Sequence, residues 1–210
     1  YYFVETKAPA GYDIITDEDG EKLRYYFELG LNGGQAVGKA NIVVANEQKL
    51  GTLKLKKTGA HSDVLQGVEF TLYRDDEVYQ TGLRTDADGM IVVESLPWGS
   101  YYFVETETAD GYVLDTTKTE TVVIDAAYVD GDILAVEKTN EQTRIAFAKV
   151  DKETQDLIAG AKLELLDSDG DVVAAWTSST EAYMVEGLTV GESYTLKETT
   201  PPAGYATAEE

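Results

Sequence analysis

The chain has 210 residues, contains no cysteine, and carries 39 acidic against 17 basic side chains, which gives a net charge of −22. This excess of acid argues against nucleic acids and anionic membranes as partners, because both are bound mainly through Lys and Arg. The lack of cysteine excludes disulfides, thiolate zinc sites and thiol catalysis. No apolar run approaches the roughly 20 residues of a membrane span, yet a hydrophobic content of 43% is enough for folded cores.

One dodecamer occurs three times along the chain. Residues 1–12 read YYFVETKAPAGY, residues 101–112 read YYFVETETADGY, and residues 194–205 read YTLKETTPPAGY. The second copy matches the first at eight of twelve positions, and the third matches it at seven. Such a recurrence indicates a repeat architecture.

The repeats divide the chain into three parts. The segments that follow the first two dodecamers both end in Asn-Glu-Gln, at residues 46–48 and 140–142. We therefore expect one complete repeat at 49–142. Residues 1–48 are interpreted as the C-terminal half of a preceding repeat, and 143–210 as the N-terminal part of a following repeat that lacks its last strands. On this interpretation the chain is a piece of a longer protein.

The complete repeat consists of short segments rich in Tyr, Val, Thr, Phe and Ile, separated by turns that contain Asp and Gly. No segment has a helical period. Seven or so strands in a repeat of this size predict an all-β fold of tandem antiparallel, immunoglobulin-like β-sandwiches. The predicted strands are 51–58, 67–74, 78–84, 90–95, 100–106, 118–124 and 132–139.

Strand alternation directs three polar residues of the complete repeat toward its apolar interior, since side chains two positions apart share a face. Lys57 follows two leucines on one face of its strand, and Glu105 follows two aromatic residues on one face of another. Asn140 falls in register with the apolar face of the last strand. Lys138 lies on that same face, which weakens the assignment of Asn140.

The flanking repeats contain parts of the same set. Glu5 and Asn46 belong to the preceding repeat, and Lys149 and Glu198 belong to the following one. The separation from Lys to Glu is 48 positions in the complete repeat and 49 in the following repeat. An alternative is that each residue lies at the solvated rim of its sandwich, but the matching separations favour a shared role.

A buried Lys, Glu and Asn have a specific chemistry available to them. Burial of an unpaired charge is costly, so the pKa of the Lys should fall and that of the Glu should rise. A neutral amine is a nucleophile, and a protonated Glu can hydrogen-bond an amide and move protons. The amine could attack the Asn carboxamide carbon, release ammonia and leave a Lys–Asn crosslink. This reaction would occur once per domain without turnover, so we do not expect an enzyme.

The pattern Lys … Leu-x-Gly-x-x-Phe-x-Leu … Gly-x-Tyr-x-x-x-Glu-x-x-x-x-x-Gly-Tyr … Asn covers nearly the whole chain and is strongest at 96–112 and 194–205. It resembles the collagen-adhesin B-type and SpaA-like prealbumin-fold repeats of Gram-positive pilins and cell-wall-anchored adhesins. The resemblance implies a self-formed Lys–Asn isopeptide bond promoted by Glu, with no cofactor and no metal. It assigns the crosslink to Lys57 and Asn140, the promoting role to Glu105, Glu5 and Glu198, and crosslinks with partners outside this chain to Asn46 and Lys149.

The function expected from these features is a structural stalk or backbone of a secreted, cell-wall-anchored Gram-positive adhesin or pilin, whose partners are neighbouring repeats of the same polypeptide. The alternative is a ligand-binding adhesin module that recognises a host matrix protein or glycan. Nucleotide binding is not expected at the P-loop-like residues 33–39, because Ala40 stands where Ser or Thr should hold magnesium.

Overall fold

The structure is a computed structural model that describes residues 1–27, 30–32, 35–37, 42–128 and 131–207. Its regular elements are almost all strands, with one short 3-10 turn at Ala60–Ser62. In chain order the strands are β1 (Tyr2–Val4), β2 (Tyr12–Ile14), β3 (Arg24–Tyr26), β4 (Gly30–Asn32), β5 (Gln35–Val37), β6 (Asn46–Gln48), β7 (Gly51–Thr58), β8 (Glu69–Arg74), β9 (Glu77–Arg84), β10 (Met90–Leu96), β11 (Gly99–Glu107), β12 (Val122–Ile124), β13 (Ile133–Thr139), β14 (Arg144–Phe147), β15 (Lys162–Leu166), β16 (Val172–Thr177), β17 (Tyr183–Glu186) and β18 (Thr195–Thr200).

The predicted complete repeat contains two sheets, one with the order β12-β11-β8-β9 and one with the order β10-β7-β13. Inward-facing side chains of both sheets form one buried cluster, which includes Leu53, Leu55, Phe70 and Phe103. Full burial of each such side chain stabilises the fold by about 1.5–3 kcal/mol. The all-β prediction is confirmed, and six of the seven predicted strands have ends within two residues of the observed ones. The exception is β12, which is much shorter than the predicted strand 118–124.

The first and last strands of this sandwich pair in parallel, which the antiparallel prediction did not include. Strands β7 and β13 are in register from Thr52 opposite Ile133 to Thr58 opposite Thr139. Every other ladder among the described strands is antiparallel. The backbone N–H of Asn140 then donates to the carbonyl of Thr58 at 3.0 Å. The end of β13 is thereby held beside the end of β7.

The flanking parts of the chain have smaller cores. Residues from 143 onward form the sheets β14-β17 and β16-β15-β18, around a buried cluster that includes Leu163, Leu165 and Trp176. Residues 1–48 contribute the strand pairs β1-β3, β2-β6 and β4-β5. Tyr1 is 83% exposed, although its counterpart Tyr101 is fully buried. The face of β1 that alternation assigns to a core is therefore open in this chain.

Successive repeats join through the same backbone geometry at both junctions. The N–H of Lys49 donates to the carbonyl of Gly11 at 2.8 Å, and the N–H of Thr143 donates to the carbonyl of Gly111 at 2.9 Å. Both glycines have positive φ, 82° and 79°, a conformation that glycine adopts without steric cost. The Gly-Tyr pair that ends each dodecamer is thus the point to which the next repeat is attached.

Candidate functional site

The structure brings Lys57, Glu105 and Asn140 together inside the complete sandwich. Lys57 lies on β7 in one sheet, Glu105 on β11 in the other, and Asn140 directly after β13. Their exposed fractions are 0%, 1% and 1%. The alternation that predicted inward-facing positions is therefore correct for all three, and the solvated rim is excluded for them.

The hydrogen bonds of the site join the glutamate to the amide. Asn140 Nδ2 donates to Glu105 Oε1 at 2.6 Å and to Thr108 Oγ1 at 2.9 Å. Glu105 Oε2 and Asn140 Oδ1 are buried without a hydrogen-bond partner in the part of the chain that the structure describes. Lys57 Nζ donates to the carbonyl of Thr58 at 2.8 Å. Each of the three side chains is thus held in place, and two oxygen atoms still have acceptor capacity.

Burial shifts the pKa values of the two ionisable groups toward their neutral forms. The pKa of Lys57 is lowered to about 8, mainly by loss of solvent, against the opposing charge of Glu105; the Lys138 cation also lowers it, and Asp115 raises it. Loss of solvent also raises the pKa of Glu105, against the hydrogen bond from Asn140 and the charge of Lys57. These are the directions that the sequence predicted. Near pH 8 a substantial fraction of Lys57 is therefore a neutral amine.

Each flanking repeat contains one contact between members of the Lys–Glu–Asn set. In the preceding repeat, Asn46 Nδ2 donates to Glu5 Oε2 at 2.6 Å, the same length as in the complete repeat. In the following repeat, Lys149 Nζ lies 3.1 Å from Glu198 Oε1 in an ion pair. Each pair of residues that the sequence assigned to one repeat is therefore in contact in the structure.

A second buried lysine lies beside the site, and its partners were not predicted. Lys138 is 8% exposed, and its Nζ lies 2.7 Å from Asp115 Oδ2. The same Nζ donates to the carbonyl and to the Oγ1 of Thr117, each at 2.7 Å. The hydrogen bond from Lys138 lowers the pKa of Asp115 to about 2. Alternation gave the inward position of Lys138, but Asp115 and Thr117 lie in a loop without a strand pattern.

Other binding sites considered from the sequence find little support. Within the described ranges no group of three or more His, Cys, Asp or Glu side chains is placed to hold a metal ion. The P-loop-like segment lies partly outside the described residues, and its residues 35–37 form β5, which pairs antiparallel with β4. No helix in the described part of the chain is long and apolar enough to cross a membrane.

Comparison with known proteins gives a family and a fold. A model of the SpaA prealbumin-like fold domain matches residues 51–142 and 143–210. No curated protein matches the chain. Among solved structures, the Bacillus anthracis TIE protein has a TM-score of 0.55 and 23% identity over 93% of this chain and 36% of that protein. This chain therefore spans about a third of the TIE protein, and the likeness shows a shared fold.

Two pilus proteins are more distant structural matches. BcpA, the major pilin subunit of Bacillus cereus, has a TM-score of 0.43 and 15% identity over 73% of this chain and 89% of BcpA. A C-terminal fragment of the pilus adhesin SpaC from Lactobacillus rhamnosus GG has a TM-score of 0.44 and 20% identity, over 76% of this chain and 78% of the fragment.

Proposed function

Because the chain belongs to the SpaA prealbumin-like fold domain family, we propose that its repeats are structural units of a Gram-positive surface protein of the pilin or adhesin type. In this proposal the protein is secreted and anchored in the cell wall, and its repeats form a stalk. The complete repeat is stabilised by an isopeptide bond between Lys57 and Asn140, promoted by Glu105. The observation that carries the proposal is the buried contact of the Asn140 amide with Glu105, in the same interior as an equally buried lysine.

The reaction needs no group beyond the three side chains. The neutral Nζ of Lys57 attacks Asn140 Cγ, and a new C–N bond forms as the bond from Cγ to Nδ2 breaks. Glu105 takes a proton from the attacking amine and gives a proton to Nδ2, which leaves as ammonia. The products are one secondary amide and one ammonia. Since Glu105 already accepts a hydrogen bond from Nδ2, it is placed to protonate the leaving group.

The surroundings of the site favour this reaction over hydrolysis of the amide. All three side chains are shielded from water, so the amine of Lys57 has little competition as nucleophile. Glu105 Oε2 and Asn140 Oδ1 both lack a hydrogen-bond partner among the described residues. A proton on Oε2 would satisfy both atoms by donating to Oδ1, and such a bond would stabilise the negative charge that develops on Oδ1 during attack.

The position of the bond suits a protein under tension. It would join β7 to the residue after β13, which are the first and last strands of the sandwich. A force applied along the chain would then pass from residue 57 to residue 140 through a covalent bond, without loading the strands between them. The bond would also restrict the unfolded chain, as a disulfide does. It would provide a covalent brace in a chain without cysteine.

The intact mass of the purified chain tests the proposal. We expect the wild-type mass to be short by one ammonia, and we expect the full calculated mass in Lys57→Ala, Glu105→Ala and Asn140→Ala. Lys56→Ala is the matched control, because Lys56 is the adjacent residue of β7 and is exposed. The control should retain the mass deficit. A wild-type chain with its full calculated mass would refute the crosslink.

The same experiment distinguishes this proposal from the alternative predicted from the sequence. That alternative is a ligand-binding adhesin module for a host matrix protein or glycan. A full wild-type mass would remove the covalent brace from the stalk proposal and would move the binding module to first place.

A further inference from the structure

Two lysines lie side by side in the interior of the complete repeat. In the parallel register of β7 and β13, Lys138 is directly opposite Lys57. Neighbouring strands are about 4.8 Å apart, and both side chains point into the sandwich. Two buried like charges on adjacent positions of one face repel each other, so one of the two amines must be compensated or neutral.

The two amines have different partners. Lys138 Nζ has three, namely the carboxylate of Asp115 and the carbonyl and hydroxyl oxygens of Thr117, all at 2.7 Å. An ammonium has three N–H donors, and here each of them has an acceptor. Lys57 Nζ has one hydrogen bond among the described residues, to the backbone carbonyl of Thr58. The site therefore holds Lys138 as the cation and leaves Lys57 as the amine with capacity to react.

We propose that the Lys138–Asp115 ion pair is a positioning pair for the crosslinking site, which fixes a positive charge beside Lys57 and thereby selects Lys57 as the nucleophile. The consequence for crosslinking rests on the proposed function, whereas the effect on Lys57 does not. The pair also ties β13, which leads directly to Asn140, to the loop that contains Asp115 and Thr117.

Charged groups on three parts of the repeat act on Lys57. Glu105 on β11 and Asp115 in the loop favour the protonated form of Lys57, and Lys138 on β13 opposes it. The carboxylate of Asp115 is 37% exposed, so solvent screens it more than it screens Lys138. Its own short contact to Lys138 further offsets its charge. Burial and the neighbouring cation together outweigh the two carboxylates, and the pKa of Lys57 falls.

The test is an NMR titration of lysines labelled with ¹³C at Cε. The parent chain is the Glu105→Gln/Asn140→Ala double variant, which lacks both the Asn140 amide and the carboxylate that would promote attack on it. Of the charged groups shown to act on Lys57 in the described part of the chain, this parent keeps Lys138 and Asp115. Lys57→Arg in this parent identifies the Lys57 signal. The titration midpoint of Lys57 is then measured after Lys138→Met, Lys138→Arg and Asp115→Asn. Glu137→Gln is the matched control, because Glu137 is exposed on the same strand.

The proposal predicts opposite shifts for the two halves of the pair. Lys138→Met removes the cation and leaves the carboxylate, so the Lys57 midpoint should rise. Asp115→Asn removes the carboxylate and leaves the cation, so the midpoint should fall. Lys138→Arg and Glu137→Gln should leave it where it is in the parent. If the pair had only a structural role, Lys138→Met and Asp115→Asn would shift the Lys57 midpoint in the same direction or not at all.

Either of two results would overturn the proposal: a Lys138→Met midpoint at or below that of the parent, or an Asp115→Asn midpoint at or above it. If Lys138→Met does not fold, Asp115→Asn alone decides. Since the parent cannot crosslink, the titration is independent of the intact-mass experiment on the wild type. Failure of the positioning role and failure of the proposed function are therefore separate results.

Discussion

The glutamate of the complete repeat contacts an amide, whereas its counterpart in the following repeat contacts a lysine. Glu105 accepts a hydrogen bond from Asn140 at 2.6 Å, and Glu198 lies 3.1 Å from Lys149 in an ion pair. Residues 143–210 contain no asparagine. The two lysines also differ in burial, since the Lys149 side chain is 21% exposed and Lys57 is fully buried.

The two glutamates therefore have different partners in the part of the chain that the structure describes. Glu198 forms an ion pair with Lys149. Glu105 is engaged by Asn140, and Lys57 is left in an apolar interior with its pKa lowered to about 8. The contact of Glu5 with Asn46 repeats the Glu–Asn half of this arrangement at the same distance. The same residue types thus form a Glu–Asn hydrogen bond in two parts of the chain and a Lys–Glu ion pair in the third.

The largest expected effect is on stability. Lys57→Ala should lower the unfolding free energy of the complete repeat by about 4–5 kcal/mol, because it abolishes a crosslink that closes a long loop. Lys149→Ala should cost the following repeat only about 1–2 kcal/mol, the cost of leaving Glu198 without its ion-pair partner. The chain has two tryptophans, Trp98 in one repeat and Trp176 in the other.

These tryptophans allow each repeat to be followed by itself. Denaturant unfolding is measured by fluorescence in a Trp176→Phe chain for the complete repeat and in a Trp98→Phe chain for the following one. Equal losses for Lys57→Ala and Lys149→Ala would contradict the distinction between a covalent and an ionic contact.

A second prediction concerns the pH dependence of a chain that cannot crosslink. The pKa of Lys57 is about 8 in the uncrosslinked wild-type chain, and loss of the Glu105 charge in the Glu105→Gln/Asn140→Ala variant should keep it at or below that value. The unfolded value is 10.5, so the folded state of the variant binds fewer protons than the unfolded state between about pH 8 and 10.5. The unfolding free energy should therefore increase by about 3 kcal/mol as the pH rises through this window. Denaturant unfolding at several pH values measures the slope.

Two controls sharpen the pH experiment. The same variant with Lys57→Met should lose this increase, because no buried amine remains. The crosslinked wild type should also lack it, because an amide does not titrate. An equal slope in the Lys57→Met chain would show that other groups cause it.

A third prediction is that one substitution converts the Glu–Asn contact of the complete repeat into a Lys–Glu ion pair. Asn140→Ala alone frees Glu105 from its amide partner, so Glu105 should pair with Lys57 as Glu198 pairs with Lys149. The NMR titration midpoint of Lys57 should then be higher in Asn140→Ala than in the Glu105→Gln/Asn140→Ala variant. Identical midpoints would mean that the two carboxylates are not equivalent, and the comparison would fail.

The smallest expected effect is at the junction between the two repeats compared. A Cβ at Gly111, where φ is +79°, would lie 2.7 Å from the carbonyl oxygen of Gly187. Gly170 has a similar φ of +85° with nothing within 4 Å, and it is the matched control. Gly170→Ala should cost about 1 kcal/mol from backbone strain alone, and Gly111→Ala about 2 kcal/mol or more. Thermal unfolding measures both, and equal costs would show that the junction is not tightly packed.

Alternation along strands correctly predicted that Lys57 and Glu105 are buried, because both belong to long strands with one clearly apolar face. It was less informative at Asn140, where Lys138 occupies the same face. The ion pair that accounts for Lys138 depends on Asp115, whose loop position follows no strand period. The parallel pairing of β7 with β13 was also missed, since a strand pattern shows which face is buried but not which neighbour lies beside it.

The flanking repeats show a different limit of the same reasoning. By alternation Leu196 shares the predicted inward face of β18 with Glu198, yet it is 46% exposed. Alternation shows which face of a strand is the more apolar. Whether that face is buried depends on the side chains that the opposite sheet packs against it. Glu5 nevertheless contacts Asn46, and Lys149 contacts Glu198, as expected for residues assigned to one repeat.

Peptide mapping by tandem mass spectrometry tests the central claim most directly. A proteolytic digest of the purified wild-type chain should contain one branched species, in which the peptide with Lys57 is joined to the peptide with Asn140 and one ammonia has been lost. The peptide with Lys149 should be found unbranched. Recovery of the Lys57 and Asn140 peptides as separate, unmodified species would contradict the account, because the buried set would then be inert.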